Sequence, residues 1–371
     1  MKIVVLGGGV VGVSTAYFLA KAGHEVTLVE EKDALGLEAS AGNAGIVAPG
    51  HSFAWASPAA PAMLLRSLRG DETAIRVRLT ADPQLYAWGL RFLRECVPAR
   101  ARRNTLVKLR LCQYSQRVMN ELVRAEGIDY HAVTRGALYL YRDPALLGAG
   151  IKKMALLAEH GQKQEILDAA AVAKLDPVFE PVRSKIAGAI RDLGDSSGDS
   201  RLFTERLGAL CRDRLGVTVK LGARVTALRA GGDRIDAVVT SEGPLTADGY
   251  VLALGVGSAG VARTAGVSLP IYPAKGYSST FPLRPGGLAP TVPGVDEQWL
   301  VGWSRLGDRL RLTSTAEFAG YDWGWTPRDF NNILRFARDV FPDAVDFDRG
   351  EYRACRSEEH TSELQSPIHI S

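Results

Sequence analysis

The chain has 371 residues, 46% of them hydrophobic, and a formal net charge of +4. That is length for two domains and apolar content for a real core, while the charge is too small to argue for nucleic-acid binding. No apolar run reaches the roughly twenty residues of a membrane-spanning helix. The four cysteines, Cys96, Cys112, Cys211 and Cys355, form no C-x-x-C pair and no metal spacing, so they read as reduced thiols of a cytosolic protein with no metal site.

The chain opens on a short apolar run, Lys2 to Leu6, of the kind that makes a buried parallel strand. It breaks at Gly7-Gly8-Gly9-Val10-Val11-Gly12, which fits G-x-G-x-x-G. A helix is predicted from Val10 to about Ala22, with Gly23 closing it, and a second strand from Glu25 to Val29, ending on Glu30. This is a β-α-β unit with a dinucleotide fingerprint, and no signal peptide, because its glycines and helix belong to the fold. Gly7 turns the chain off the strand. Gly9 lets a pyrophosphate approach the backbone, and Gly12 lets the helix sit close on the sheet. The helix start offers unpaired N–H groups and a partial positive charge. Glu30 stands where a carboxylate accepts hydrogen bonds from a ribose, and its charge disfavours a ribose phosphate such as that of NADP.

Gly36 to Gly50 is too rich in Gly, Ala and Ser to pack a core alone and suits close approach to a flat ligand; Ser40 and Asn43 are its polar members. Phe53 and Trp55 are candidate pocket walls in the loop that follows. His51 stands next to this loop and reads as structural. Leu85, Trp88, Phe92 and Cys96 recur at helical spacing, as do Leu111, Ser115, Val118 and Leu122. The arginines and lysine between them, from Arg91 to Arg110, read as a solvated basic face. A sharper reading is a patch attracted to an anionic membrane surface. Strand signals at Ala137–Tyr141, helices at Ala145–His160 and Ala169–Leu175, and a strand at Lys185–Arg191 make an inserted mixed segment. The nucleotide domain then resumes. A helix is predicted at Arg201–Leu215 and a strand at Val217–Leu221. A hairpin follows around Gly231-Gly232-Asp233, and Tyr250 to Leu254 is an apolar strand ending in Ala253-Leu254-Gly255. Further strands lie near Tyr277, at Trp299–Trp303 and at Leu310–Thr315. Thr326, Pro327 and Asp329 then cap a helix whose apolar face is Phe330, Ile333, Leu334, Ala337 and Phe341.

Four segments carry a family resemblance: Val4 to Gly12, Ser40 to Gly50 (S-A-G-N-A-G-I-V-A-P-G), Gly194 to Thr204 (G-D-S-S-G-D-S-R-L-F-T) and Tyr272 to Ser278 (Y-P-A-K-G-Y-S). Together they resemble the FAD-dependent D-amino-acid oxidase superfamily, most closely its bacterial D-amino-acid dehydrogenase small subunits. The resemblance implies an α/β fold: a Rossmann-like FAD-binding domain with an inserted α+β substrate domain, of the glutathione-reductase and D-amino-acid-oxidase type. The FAD domain would be 1–75 and 192–268, the substrate domain 76–191 and 269–352.

The resemblance also implies roles. Gly7, Gly8, Gly9, Val10, Val11 and Gly12 would hold the pyrophosphate and Glu30 the adenosine ribose. Ser40, Asn43 and Gly45 would run beside the flavin, Val225 would meet the adenine, Ala253 and Gly255 would meet the cofactor, and Tyr277 would face the flavin from the substrate domain. The implied reaction is oxidative deamination of a D-amino acid to a 2-oxo acid and ammonia, with electrons passed to a quinone-type acceptor. No dedicated catalytic base is required, and none is assigned. The implied location is cytoplasmic, with a peripheral position at the inner face of the membrane as the sharper version. The alternatives are a glycine or sarcosine oxidase using oxygen, and a non-catalytic FAD-binding remnant; a simple NAD dehydrogenase fits less well, because the nucleotide domain returns so far downstream. The tail departs from the family. Arg356 to Ser366 (R-S-E-E-H-T-S-E-L-Q-S) resembles translated sequencing adapter. The native sequence is therefore expected to stop near Cys355, with 356–371 non-native and FAD binding weak in the chain as written.

Overall fold

Ile3, Val4, Val5 and Leu6 have nowhere to go but inward, and in the computed structural model all four are buried. Residues 1–69, 75–322 and 324–357 are described. Strand β1 (Lys2–Leu6), helix α1 (Val10–Lys21) and strand β2 (Glu25–Val29) form the expected β-α-β unit. Gly23 closes the helix with a left-handed φ of 85°. The two strands are parallel, and the strand Gly249–Leu252 lies parallel on the other side of β1, with Val5 opposite Val251. Thr218–Lys220 completes this four-stranded sheet beside β2. Helix Ser200–Leu215 packs on α1, and a three-stranded sheet built from the predicted hairpin covers Val4, Leu6 and Val29 through Val225, Leu228 and Val238.

Among the described residues the chain divides into two compact units: Met1–Ala41 and Ser200–Pro273 with Arg356 and Ser357, and Gly42–Asp199 with Ala274–Cys355. The first changeover falls well before the expected 75/76. The reason lies in what residues 46–54 bind. Ile46 and Val47 pair with Ser197 and Ser196, the Gly50 amide donates to Asp195, and the Ala54 amide donates to Thr105. All these partners belong to the second unit.

The second unit is organised by a large mixed sheet. Its path runs Glu351–Ser357, Ala274–Pro282, Arg309–Phe318, Val301–Leu306, Gly294–Asp296, Ala137–Tyr141, Gly188–Asp192 and Gln164–Asp168, with Ile75–Val77 pairing Arg309–Phe318 off that path. One face buries Tyr277, Phe281, Leu310 and Leu312 against Ile333, Phe336, Ala337 and Val340. Those last residues sit on the helix Asn331–Val340, which the capping box of Thr326 and Asp329 precedes as expected.

One helix differs from its sequence reading. Leu111, Ser115, Val118 and Leu122 are predicted as the inward face of the helix that spans Pro98–Glu126. Its buried residues are Ala101, Thr105, Leu109 and Leu122, and Leu111 is 65% exposed. The side that turns inward is set by packing, and small residues such as Ala101 and Thr105 permit close approach without advertising it in hydropathy. In the tail, Arg356 and Ser357 end the strand Glu351–Ser357, and the rest of the stretch read as non-native lies outside the described residues.

Candidate active site

In the first unit the opening glycines form a cradle. Gly7 has φ 112°, and a Cβ there would stand 2.2 Å from the Ala253 carbonyl oxygen. A Cβ on Gly12 would stand 1.8 Å from the Gly7 oxygen, and one on Gly8 would meet Leu35 at 2.6 Å and Glu30 at 2.8 Å. Gly9 is different. Its Cβ would meet only the Ser40 hydroxyl, at 3.6 Å, so the backbone there borders open space. Gly9 also caps α1. The amides of Gly9, Val11 and Gly12 donate to no described residue, and no acidic side chain occupies the helix's first turn. A start of this kind carries a partial positive charge and free donors, as an anion requires.

The polar side chains around the cradle are held in place. Ser40 accepts from the Val10 amide at 3.0 Å. Glu30 accepts from the Gly8 amide at 2.6 Å through one oxygen and from the Lys32 amide at 2.9 Å through the other. Each oxygen keeps a lone pair for a further donor such as a ribose hydroxyl. Ala253 donates its amide to Leu6 at 2.8 Å, which places its carbonyl over Gly7. Gly255 has φ 58° and begins the turn after the strand. Val225 starts its own strand and packs on the core under β1. The residues present fit a dinucleotide: the pyrophosphate would lie over Gly9 and the α1 start, and the adenosine ribose against Glu30.

Asn43, Gly45 and Tyr277 belong to the second unit. The Asn43 side chain accepts from the Gly45 amide at 2.9 Å, and Gly45 turns with φ 67°. Tyr277 is on the expected strand, but its ring is 1% exposed in the core, edge-on to Phe330 at 5.6 Å. Its hydroxyl donates to Glu317 in a very short hydrogen bond. Burial, reinforced by that bond, pushes the phenol pKa well above its ordinary value. The residues on the opposite side of the sheet are Ser278 and Thr280, and Arg311 is among the residues sequence reasoning missed. Arg311 is 7% exposed, donates from Nε to Thr280 at 2.9 Å and from Nη1 to the Asn43 carbonyl at 3.3 Å. Ser304, fully buried, donates to the Ala44 carbonyl at 2.5 Å. A signal for this existed. Arg309-Leu310-Arg311-Leu312 alternates, so if the leucines face the core the arginines face the other way.

His51 sits beside this loop, 2.8 Å from Glu297 and stacked on Tyr139 with ring centroids 4.7 Å apart. Phe53 lies under the Lys153 ammonium at 4.2 Å. Tyr139 donates to Asp195 at 2.5 Å, and burial together with neighbouring Asp192 raises Asp195 to about 7. A cavity of about 320 Å³ elsewhere in this unit is lined by Arg76, Arg142, Arg328 and Arg335 with Asp329, Trp299 and Asn332; Arg76 pairs with Asp329 and Arg142 with Asp296 and Asp339, and none of the expected site residues lines it. No group of His, Cys, Asp and Glu among the described residues could hold a metal ion. No helix among them is long and apolar enough to cross a membrane.

The family profile described as FAD dependent oxidoreductase matches residues 2–365. The chain is 46% identical over 351 residues to the D-amino acid dehydrogenase 2 of Mesorhizobium japonicum, covering 95% of this chain and 84% of that one. It is 41% identical over 352 residues to the D-amino acid dehydrogenase of Paramagnetospirillum magneticum, covering 95% and 83%. Among solved structures it is similar in fold to the glycine oxidase of Geobacillus kaustophilus, with a TM-score of 0.69 at 20% identity over 96% of this chain and 83% of that one. The chain therefore belongs to the FAD dependent oxidoreductase family.

Proposed function

We propose that the protein is an FAD-dependent D-amino-acid dehydrogenase. The observation that carries the reading is the 46% identity, across 95% of the chain, to a relative of that name. The cradle at Gly7–Gly12 gives it a physical basis, since it supplies the backbone and the carboxylate that an adenine dinucleotide needs.

When bound, FAD supplies the acceptor for the hydride that leaves the substrate's Cα. The substrate amine must be neutral, so that its lone pair forms the C=N bond as the hydride departs. Water then adds to the imine, which releases ammonia and leaves a 2-oxo acid. The chain's residues bind and orient. Gly7, Gly8, Gly9, Val10, Val11 and Gly12 hold the pyrophosphate, Glu30 the ribose, and Val225 the adenine. Ala253 and Gly255 close on the cofactor from the neighbouring strand. Ser40 fixes the first amide of α1, and Asn43 and Gly45 run beside the flavin. Ser278 and Thr280, rather than the phenol of Tyr277, supply the polar groups of the sheet on the side of Asn43.

The electrons pass to a quinone-type acceptor at a membrane surface. Two helical stripes support this. Tyr86, Leu90, Leu93 and Val97 are all at least 43% exposed at helical spacing, as are Val107, Leu111 and Tyr114, and arginines flank both stripes. Apolar side chains bordered by arginines suit an anionic lipid interface.

The test is anaerobic. D-Alanine and other D-amino acids should bleach the visible band of the bound flavin and reduce a quinone analogue, with the L-enantiomers inert. Stoichiometric hydrogen peroxide in air would make the protein an oxidase, and an unbleached flavin would make it a binding protein only.

A further inference from the structure

We propose that Arg311 and Ser304 are positioning residues for the redox step: they hold the Asn43–Gly45 backbone by its carbonyls and turn the Ala44 amide outward as a polarised donor to the flavin. The inference rests on the reading that this segment runs beside the ring.

The geometry is unusual in one respect. Three consecutive carbonyls all accept hydrogen bonds from the body of the unit. Asn43 accepts from Arg311, Ala44 from Ser304 at 2.5 Å, and Gly45 from the Gly198 amide at 2.8 Å. The Gly45 amide is taken by the Asn43 side chain. The peptide unit is planar and trans, so its N–H points away from its C=O. With the Asn43 carbonyl aimed at Arg311, the Ala44 N–H is aimed the opposite way, and it donates to no described residue. A guanidinium bonded to the carbonyl end of a peptide withdraws electron density from it and strengthens the N–H at the other end. The segment is packed closely against its neighbours. A Cβ on Gly45 would stand 2.6 Å from the Gly198 oxygen, and one on Gly42 would stand 1.9 Å from the Cys355 sulfur.

Arg311 itself is fixed from two sides, by Thr280 and by Asn43, and it shares its strand with Arg309, which pairs with Asp199 at 2.9 Å. Accepting a hydride adds one negative charge to the isoalloxazine ring. A preorganised donor, with a buried cation behind it, stabilises that charge more than the neutral oxidised ring. The arrangement therefore raises the flavin's reduction potential, and with it the ease of hydride acceptance.

The experiment measures the midpoint potential of the bound flavin, by equilibration with reference dyes, in the wild type and in Arg311→Met, Arg311→Lys and Ser304→Ala. Arg311→Met should shift the equilibrium at least tenfold toward the oxidised form, about 30 mV for a two-electron couple. Arg311→Lys keeps the charge but loses the two-pronged geometry and should fall between. Ser304→Ala should shift the potential in the same direction by less. Each variant is to retain bound FAD and its substrate KM while kcat falls, a split that a merely structural residue would not give. If Arg311→Met does not fold, the other two variants decide. Unchanged potentials in variants that hold FAD overturn the proposal and leave the proposed function standing. A wild type that binds no flavin overturns the functional reading itself.

Discussion

Glu30→Gln isolates what the carboxylate at the end of β2 does. In the structure its two oxygens accept amides from Gly8 and Lys32, at 2.6 and 2.9 Å. Glutamine keeps the shape but brings one donor where two acceptors are needed. Its NH₂ group would face either the Gly8 or the Lys32 N–H, and only one amide keeps its partner. A hydrogen bond to a charged group is worth roughly 1.5–3 kcal/mol, about twice a neutral one. The charged acceptor offered to a ribose hydroxyl is lost as well, and at that bond's worth FAD binding weakens by about ten- to a hundredfold, since roughly 1.4 kcal/mol is a factor of ten. The assay is titration of the apoprotein with FAD, followed by quenching of flavin fluorescence. Glu31→Gln is the control. Its carboxylate is 38% exposed and, among the described residues, pairs with the surface cations Lys32 at 3.4 Å and Arg224 at 3.1 Å, so its removal should cost little. A Glu30→Gln protein that binds FAD within twofold of the wild type would refute the assignment of Glu30 to the ribose.

Other outcomes follow from the same coordinates. Gly12→Ala puts a methyl 1.8 Å from a backbone oxygen that cannot move without the strand, so it should abolish FAD retention on purification and lower stability by about 1–3 kcal/mol or more. Asp195 is raised from 3.8 to about 7 by burial and by Asp192, so the folded state binds its proton more tightly than the unfolded one. Its contribution is therefore greatest below pH 4 and is lost as pH rises to about 7, a span of roughly 4 kcal/mol. Asp195→Asn, whose amide oxygen can accept from the Gly50 N–H while its NH₂ donates to the Tyr139 hydroxyl, should flatten that slope in denaturant titrations and be more stable than the wild type at pH 8; an unchanged slope would contradict the raised pKa. Leu90→Asp combined with Leu111→Asp should lower partitioning onto anionic vesicles by more than tenfold, each leucine contributing about 1.5–3 kcal/mol if buried in lipid. Equal partitioning of variant and wild type would remove those stripes as a membrane contact.

The first unit was legible because its signals are local. A glycine that must turn, a helix start with no acidic residue and a carboxylate one strand later are adjacent in sequence, and each has one physical reason to be there. The strand Gly249–Leu252 lies far along the chain, yet it too was readable, because an apolar run ending in Ala-Leu-Gly reads as a parallel strand like β1, although its own residues are only part-buried. The second unit was less legible because its partners are distant. Nothing near Asn43 in sequence announces Arg311, and nothing near Tyr277 announces Glu317, which takes its hydroxyl. The long helix Pro98–Glu126 failed for a related reason. Its hydrophobic residues are spread around the helix, and the face that turns inward is decided by what packs on it.

The tyrosine illustrates how a motif can point to a strand whose side chains then divide between two faces. Tyr277-Ser278-Ser279-Thr280-Phe281 alternates, and two aromatic rings four residues apart must share a face. Once Phe281 is committed to the core, Tyr277 follows it, and Ser278 and Thr280 are left to the other side. The same count on the neighbouring strand sends Leu310 and Leu312 inward and Arg311 outward, and the antiparallel register sets Arg311 directly across from Thr280. Burying a guanidinium on that face costs several kcal/mol unless its donors are met. Here they are met by a threonine hydroxyl and by the backbone of the glycine-rich segment. A fold that needed only a packed sheet would place a smaller or apolar residue there. That placement is what the proposed positioning role of Arg311 calls for, and an unchanged flavin potential in Arg311→Met would leave it without that explanation.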